Sequence, residues 1–203
     1  MDQPAIPRPR GRPRRFNPEA AVATAQRLFH ARGYDAVSVA DITAALGINP
    51  PSFYAAFGSK AGLYKQVLER YAHTGVVPFR ELLRSDRPVA DALAELLEQA
   101  ARLYAADPET TGCLVLEGTR CIDAEAREAA RNFHLAKEEA LRGFIAARHP
   151  EAAGRLTSFV STTMAGLSAM ARNGYGLERL LASAEVASCA IREVLSTSEE
   201  HPS

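Results

Sequence analysis

Ser38-Val-Ala-Asp-Ile-Thr-Ala-Ala-Leu-Gly47-Ile-Asn-Pro-Pro-Ser-Phe-Tyr-Ala-Ala-Phe57-Gly-Ser-Lys60 carries the strongest local signals in the chain. Ser38 is a good N-cap, and Asp41 three residues on completes a capping-box start. Val39, Ile42 and Leu46 recur at helical spacing and give this first helix one apolar side. Gly47 ends it, since glycine takes the left-handed conformation just past a helix at little steric cost. Asn49 caps the next helix, with Pro50 at a first-turn position whose N–H would be unpaired anyway. Phe53 and Phe57 form its inward face, so Pro51, Ser52, Tyr54 and Ala55 point outward or sideways. Two short helices around a glycine turn make a helix-turn-helix, whose second member can enter a DNA major groove. Gly58 and Ser59 then close that helix and cap a third. Lys60 falls in the first turn of the third helix, at the positive end of its dipole. There it is either a solvated surface lysine or one half of a phosphate site shared with free N–H groups.

The run Gly47–Lys60, with the preceding segment Phe16–Asp41 and its Gly33-Tyr34, resembles the signature of the tetracycline-repressor (TetR/AcrR) family of transcriptional regulators. The resemblance covers the first third of the chain. It implies an all-α fold: an N-terminal three-helix helix-turn-helix DNA-binding domain plus a larger helical ligand-binding and dimerisation domain. It also implies that Tyr54 and Lys60 hold phosphates of double-stranded DNA and that the residues around Pro51 and Ser52 face bases; Ser38 is read as a further phosphate contact and Asn49 as a further DNA-binding residue. Where family members commonly carry Lys-Gly, this chain has Pro50-Pro51, and Ala55-Ala56 stand where a polar side chain is usual. Contact with thymine methyl groups is the reading such a surface suits.

Residues 1–15 are rich in proline and arginine and cannot build a core, so they read as a basic flexible arm. Within it, Pro9-Arg10-Gly11-Arg12-Pro13 resembles an AT-hook core. Arg10 and Arg12 either enter the narrow minor groove of A·T-rich DNA or add only non-specific attraction to phosphate. Residues 16–62 form the expected head. Its first helix is capped by Asn17, carries Pro18 and Glu19 in its first turn, buries Val22, Ala25, Leu28 and Phe29, and stops at Gly33.

Residues 63–203 form the expected body. The pattern Leu63, Tyr64, Val67, Leu68, Tyr71 continues the third helix of the motif beyond the head, and Pro78 marks its end or a kink. Pro88–Ala106 is a strong amphipathic helix, and Asp107–Gly112 is a loop. Cys113–Leu116 is a buried apolar run, and Asp123–Arg148 is a long helix closed by Pro150. Segments 151–172 and 176–195 combine long apolar stripes with many small residues. They are either ordinary core or half of a four-helix bundle completed by a second copy, and the resemblance implies the homodimer.

Composition is that of an ordinary soluble protein: 203 residues, 47% apolar, 24% charged, net charge zero. The balance is uneven, because residues 1–76 hold 10 Lys/Arg against 5 Asp/Glu, whereas residues 77–203 hold 14 against 19. A basic head on an acidic body suits a protein that meets DNA at one end. Cys113, Cys121 and Cys189 fit neither a disulfide framework nor a CxxC metal pattern. The sequence shows neither a signal peptide nor an apolar run near 18 residues, so it reads as cytoplasmic with no membrane partner.

GxSxG, HExxH, P-loop and GxGxxG motifs are absent, and the histidines are scattered, which gives no enzyme reading, no metal site and no cofactor. A thiol- or metal-sensing regulator using Cys113 and Cys121 is one alternative, and an architectural A·T-rich DNA binder driven by the arm is the other. The resemblance further implies a small-molecule effector in the body. Leu103, Tyr104, Leu116, Phe133, His134, Phe144, Phe159, Met164 and Tyr175 are its candidate lining, each equally readable as packed core.

Overall fold

The computed structural model describes residues 17–199, so the arm with Arg10 and Arg12 lies outside the described residues. Among them the fold is all-helical, with ten helices. The first four are α1 (Pro18–Arg32), α2 (Val39–Leu46), α3 (Pro50–Phe57) and α4 (Lys60–Thr74). Their ends are set by the caps the sequence names. Asn17 Oδ1 accepts from the Glu19 and Ala20 amides at 3.0 and 3.2 Å. Gly47 ends α2 at φ 65°, a left-handed conformation that glycine enters without Cβ strain. Ser59 Oγ accepts from Gly62 N–H at 2.8 Å and starts α4.

The apolar residues of this motif converge on one core. Phe29, Val37, Ile42, Phe53 and Leu63 are all fully buried. Phe29, Tyr34 and Tyr64 pack as a ring cluster with centroids 4.8–5.5 Å apart. Truncating Phe53 would cost about 3–5 kcal/mol, since nothing nearby can collapse into the hole without moving a helix.

The remaining helices are α5 (Phe79–Leu82), α6 (Val89–Tyr104), α7 (Leu114–Gly118), α8 (Ala124–Ala146), α9 (Pro150–Arg172) and α10 (Leu177–Glu199). α6 is wrapped by α9 and α10, and α9 also packs on α8. Its stripe Leu93, Leu96, Leu97, Ala100 is fully buried, as the 3.6-residue spacing requires. α4 is common to both halves: it packs against α1 on one side and α7 and α8 on the other.

Two features depart from the sequence reading. The region around Pro78 is neither a kink nor a simple end, because α4 stops at Thr74 and Pro78 caps the single turn of α5. Pro150 does not close α8 but begins α9 at N1, where its missing N–H costs nothing.

Candidate nucleic-acid interface and body cavity

α2 and α3 present one continuous exposed surface: Ser38, Asn49, Pro51, Ser52, Tyr54, Ala55 and Ala56 are exposed, while Phe53 and Phe57 face inward. Tyr54 is 52% exposed and stands edge-on to Phe53 with centroids 5.2 Å apart, a packing that fixes its ring and leaves the hydroxyl in solvent. Asn49 Oδ1 accepts from Ser52 N–H at 2.9 Å, so the cap carbonyl is occupied and the amide NH₂ is the part of Asn49 that can face a partner.

Ser38 is more committed. Its hydroxyl donates to Asp41 Oδ2 at 2.6 Å and accepts from Asp41 N–H at 3.1 Å, and its own N–H donates to the same carboxylate at 2.8 Å. These bonds from Ser38, with Arg32 beside them, hold the Asp41 carboxyl down at about 2. Arg32 is taken up by this corner, 3.3 Å from Asp41 and donating to Ala36 O at 2.9 Å.

Lys60 does not project freely into solvent. Its Nζ lies 4.0 Å above the Tyr34 ring, a cation–π contact at the junction of α4 with the loop before α2. Burial pushes its ammonium down, and the carboxylates of Asp35 and Asp123 push it back up. Gly62, two residues on, is obligatory at this corner, because a Cβ there would sit 2.3 Å from the Phe57 carbonyl oxygen.

Polar contacts tie α1, the loop after it and α4 to the rest of the body. His30 Nε2 lies 3.1 Å from Gly112 O; a carbonyl only accepts, so that nitrogen carries the proton. Arg172 Nη2 donates to His30 O at 3.2 Å, Ile122 N–H donates to Asp35 Oδ2 at 2.9 Å, and Lys65 pairs with Glu125 at 2.8 Å. Gly112 itself sits at φ 77°, and a Cβ on it would meet Ser168 O at 2.9 Å and Arg172 Cγ at 3.0 Å. Sequence reading missed His30, Gly112 and Arg172, and no local signal marks them, since the pairings are 82 and 142 residues apart.

Behind this junction the body holds a cavity of about 50 Å³ between α4, α5, α6, α7, α8 and α9. Of the candidate lining residues, Tyr104, Leu116, His134 and Met164 border it. Leu103, Phe133 and Phe144 pack partly buried against the core instead. Phe159 and Tyr175 are each 39% exposed, so they correct the expectation that they line an internal void; Tyr175 lies under Arg179 at 4.1 Å. Tyr71, Val77, Phe79, Cys113 and Lys137 also border the cavity, though none was expected to line it. Cys113 and Cys121 are both buried, and burial with the carboxylates of Asp35, Glu117 and Asp123 pushes the Cys121 thiol up to about 11. It is therefore protonated and weakly nucleophilic at neutral pH. Among the described residues no cluster of His, Cys, Asp and Glu could hold a metal ion, and no helix is long and apolar enough to cross a membrane.

The model of the bacterial regulatory proteins of the tetR family matches residues 21–67, from early in α1 to the middle of α4. The HTH-type transcriptional repressor BdcR of Escherichia coli K12 is 51% identical over 185 residues, covering 91% of this chain and 94% of that protein. The chain belongs to the TetR family. As a TetR-family protein it is a helix-turn-helix transcriptional regulator. ComR, another HTH-type transcriptional repressor of the same organism, is 28% identical over 187 residues, 87% of this chain and 89% of its own. A solved structure of the TetR-family regulator CifR, a cysteine mutant complexed with 26-bp double-strand operator DNA, is 33% identical with a TM-score of 0.73. It covers 88% of this chain and 99% of its own.

Proposed function

We propose that this TetR-family chain is a ligand-responsive repressor that binds a palindromic operator as a homodimer. The observation that carries the reading is the rigid, exposed α2–α3 surface, held from behind by the aromatic core and capped at each start. The similarity to BdcR and to a regulator solved on operator DNA supports it.

In this reading residues 16–62 are the reader and residues 63–203 the receptor and dimerisation domain. Arg10 and Arg12 of the arm add attraction to the duplex. Tyr54 places its hydroxyl on a phosphate. Lys60 reaches a phosphate by leaving the Tyr34 ring, a small displacement for a four-carbon stem. The Ser38 hydroxyl acts while still engaged with Asp41, so it offers DNA a lone pair or a shared proton rather than a free donor. Pro51, Ser52 and the Asn49 amide face bases. The outward face of α3 carries few donors, so apolar contact supplies much of its discrimination.

The dimer is formed through α9 and α10. In one chain the α9 face Gly154, Ser158, Thr162, Ala165, Gly166 is exposed, and so is the α10 face Ala182, Val186, Cys189, Ala190. A Cβ on Gly154 or Gly166 would meet nothing within 4 Å, which is room for a second helix pair to approach closely. Two-fold pairing then places two α3 helices in successive major grooves. An effector in the body cavity favours a dimer whose heads no longer match them; a swing from 1:99 to 99:1 needs about 5.5 kcal/mol of preference.

The test is operator selection from random duplexes followed by binding across a salt series. A two-fold symmetric site is expected. Tyr54→Phe is expected to weaken binding, and Lys60→Ala to weaken it while lowering the salt slope by about one unit. Equal affinity for operator and random duplex would sink the reading.

A further inference from the structure

Among the described residues Lys137 is a cation without a counter-ion. It projects from α8 to the edge of the body cavity, with Nζ 4.6 Å from the Phe79 ring. No Asp or Glu among the described residues pairs with it. Burial pushes its ammonium below the usual lysine value. The one carboxylate on the cavity wall, Glu138, lies 3.5 Å from His134 Nε2 and so faces the imidazole. Tyr71 also lines the cavity, and its hydroxyl, on a residue only 1% exposed, has no well-aligned hydrogen-bond partner; the Cys113 thiol and the Leu114 amide are its neighbours. Apart from the hydroxyl-bearing Ser161 and Tyr104, the rest of the wall is apolar, including Val77, Leu116, Leu141 and Met164. A partly buried cation facing no carboxylate and a buried hydroxyl with no well-aligned partner are each costly and are relieved by the same thing, an acceptor carrying negative charge.

We infer that this cavity binds a small carboxylate, its oxygens between Lys137 and Tyr71 and its carbon end against Val77, Leu116 and Met164. This rests on the reading of the cavity as the receptor site. A water needs about 10–15 Å³ of such space, so 50 Å³ takes about three to five waters or a ligand of about four to six non-hydrogen atoms. A monoanion suits one lysine; a phosphate dianion would ask for a second cation where Glu138 stands. Binding would draw Lys137 off Phe79, which follows α4 by only a few residues, and so reaches the helix that runs into the reader.

The experiment is calorimetric titration of the full chain at neutral pH with propionate and with its uncharged isostere propionamide. Propionate is expected to bind tenfold or more tightly than propionamide, the margin of a charge-assisted hydrogen bond. Lys137→Met should erase that margin, and Lys137→Arg should keep it. Thermal unfolding of each variant reports folding, and the propionate–propionamide comparison on the unaltered chain needs no variant at all. Equal binding of the two probes, or a preference that survives Lys137→Met, overturns the carboxylate assignment and leaves the receptor reading standing. Binding of neither probe removes both, while operator recognition is still judged through Tyr54 and Lys60.

Discussion

At Gly62 the head tolerates no side chain. The first turn of α4 passes under the end of α3 so closely that an alanine methyl would lie 2.3 Å from the Phe57 carbonyl oxygen. That atom is backbone, so relief requires moving α3 itself. Gly62→Ala is expected to lower stability by about 1–3 kcal/mol, read by chemical denaturation. It should also loosen α3 and weaken operator binding beyond what the lost stability explains. Single residues of this kind divide cleanly in legibility. Ser38 with Asp41, Asn49 and Ser59 announce their roles in sequence because a cap is satisfied within three residues. Lys60 shows its position but not its posture, since the Tyr34 ring it covers comes from 26 residues earlier in the chain and through tertiary packing.

Between elements, the junction of α1 with the α6–α7 loop and α9 depends on an imidazole kept neutral. Burial is the main cause holding His30 below 6.5, with Arg172 adding to it and the Gly112 hydrogen bond opposing it. The native state thus binds fewer protons than the unfolded chain once pH drops under 6.5. Stability from this site is complete above that value, falls as pH descends through it, and levels off below the folded value. His30→Gln, which keeps a donor for Gly112 O, is expected to flatten the acid side of the thermal-unfolding profile. A profile unchanged by that substitution would remove His30 as the source. The helices that meet here were legible from apolar periodicity and caps, including α6 and α9. α5 was not, because one turn carries no periodicity, and Pro150 was misread because a proline after a helix and a proline opening the next one look alike when the gap is three residues.

For the molecule as a whole, the exposed stripes of α9 and α10 set the expected assembly. Val186 is 72% exposed at the centre of its stripe, where a paired bundle would bury it. Val186→Glu is expected to give a monomer by sedimentation, still helical, with operator affinity reduced by orders of magnitude because two half-sites no longer act together. The cavity was the least legible feature. Spacing identifies buried faces, but a void depends on how five or six elements fail to fill space, and Phe159 and Tyr175 show that a large apolar residue at helical spacing can face outward.

α4 runs unbroken for 15 residues from Lys60, beside the helix-turn-helix, to Thr74 near the cavity, a rod of about 22 Å. Pivoting it by about 10° at the Tyr71 end would carry Lys60 sideways by about 3 Å, the full length of a hydrogen bond. In a two-fold pair the displacements oppose one another, so the spacing of the two readers would change by twice that amount. A stiff pointer of this length turns a rearrangement of a few atoms around Phe79 into loss of register on the double helix.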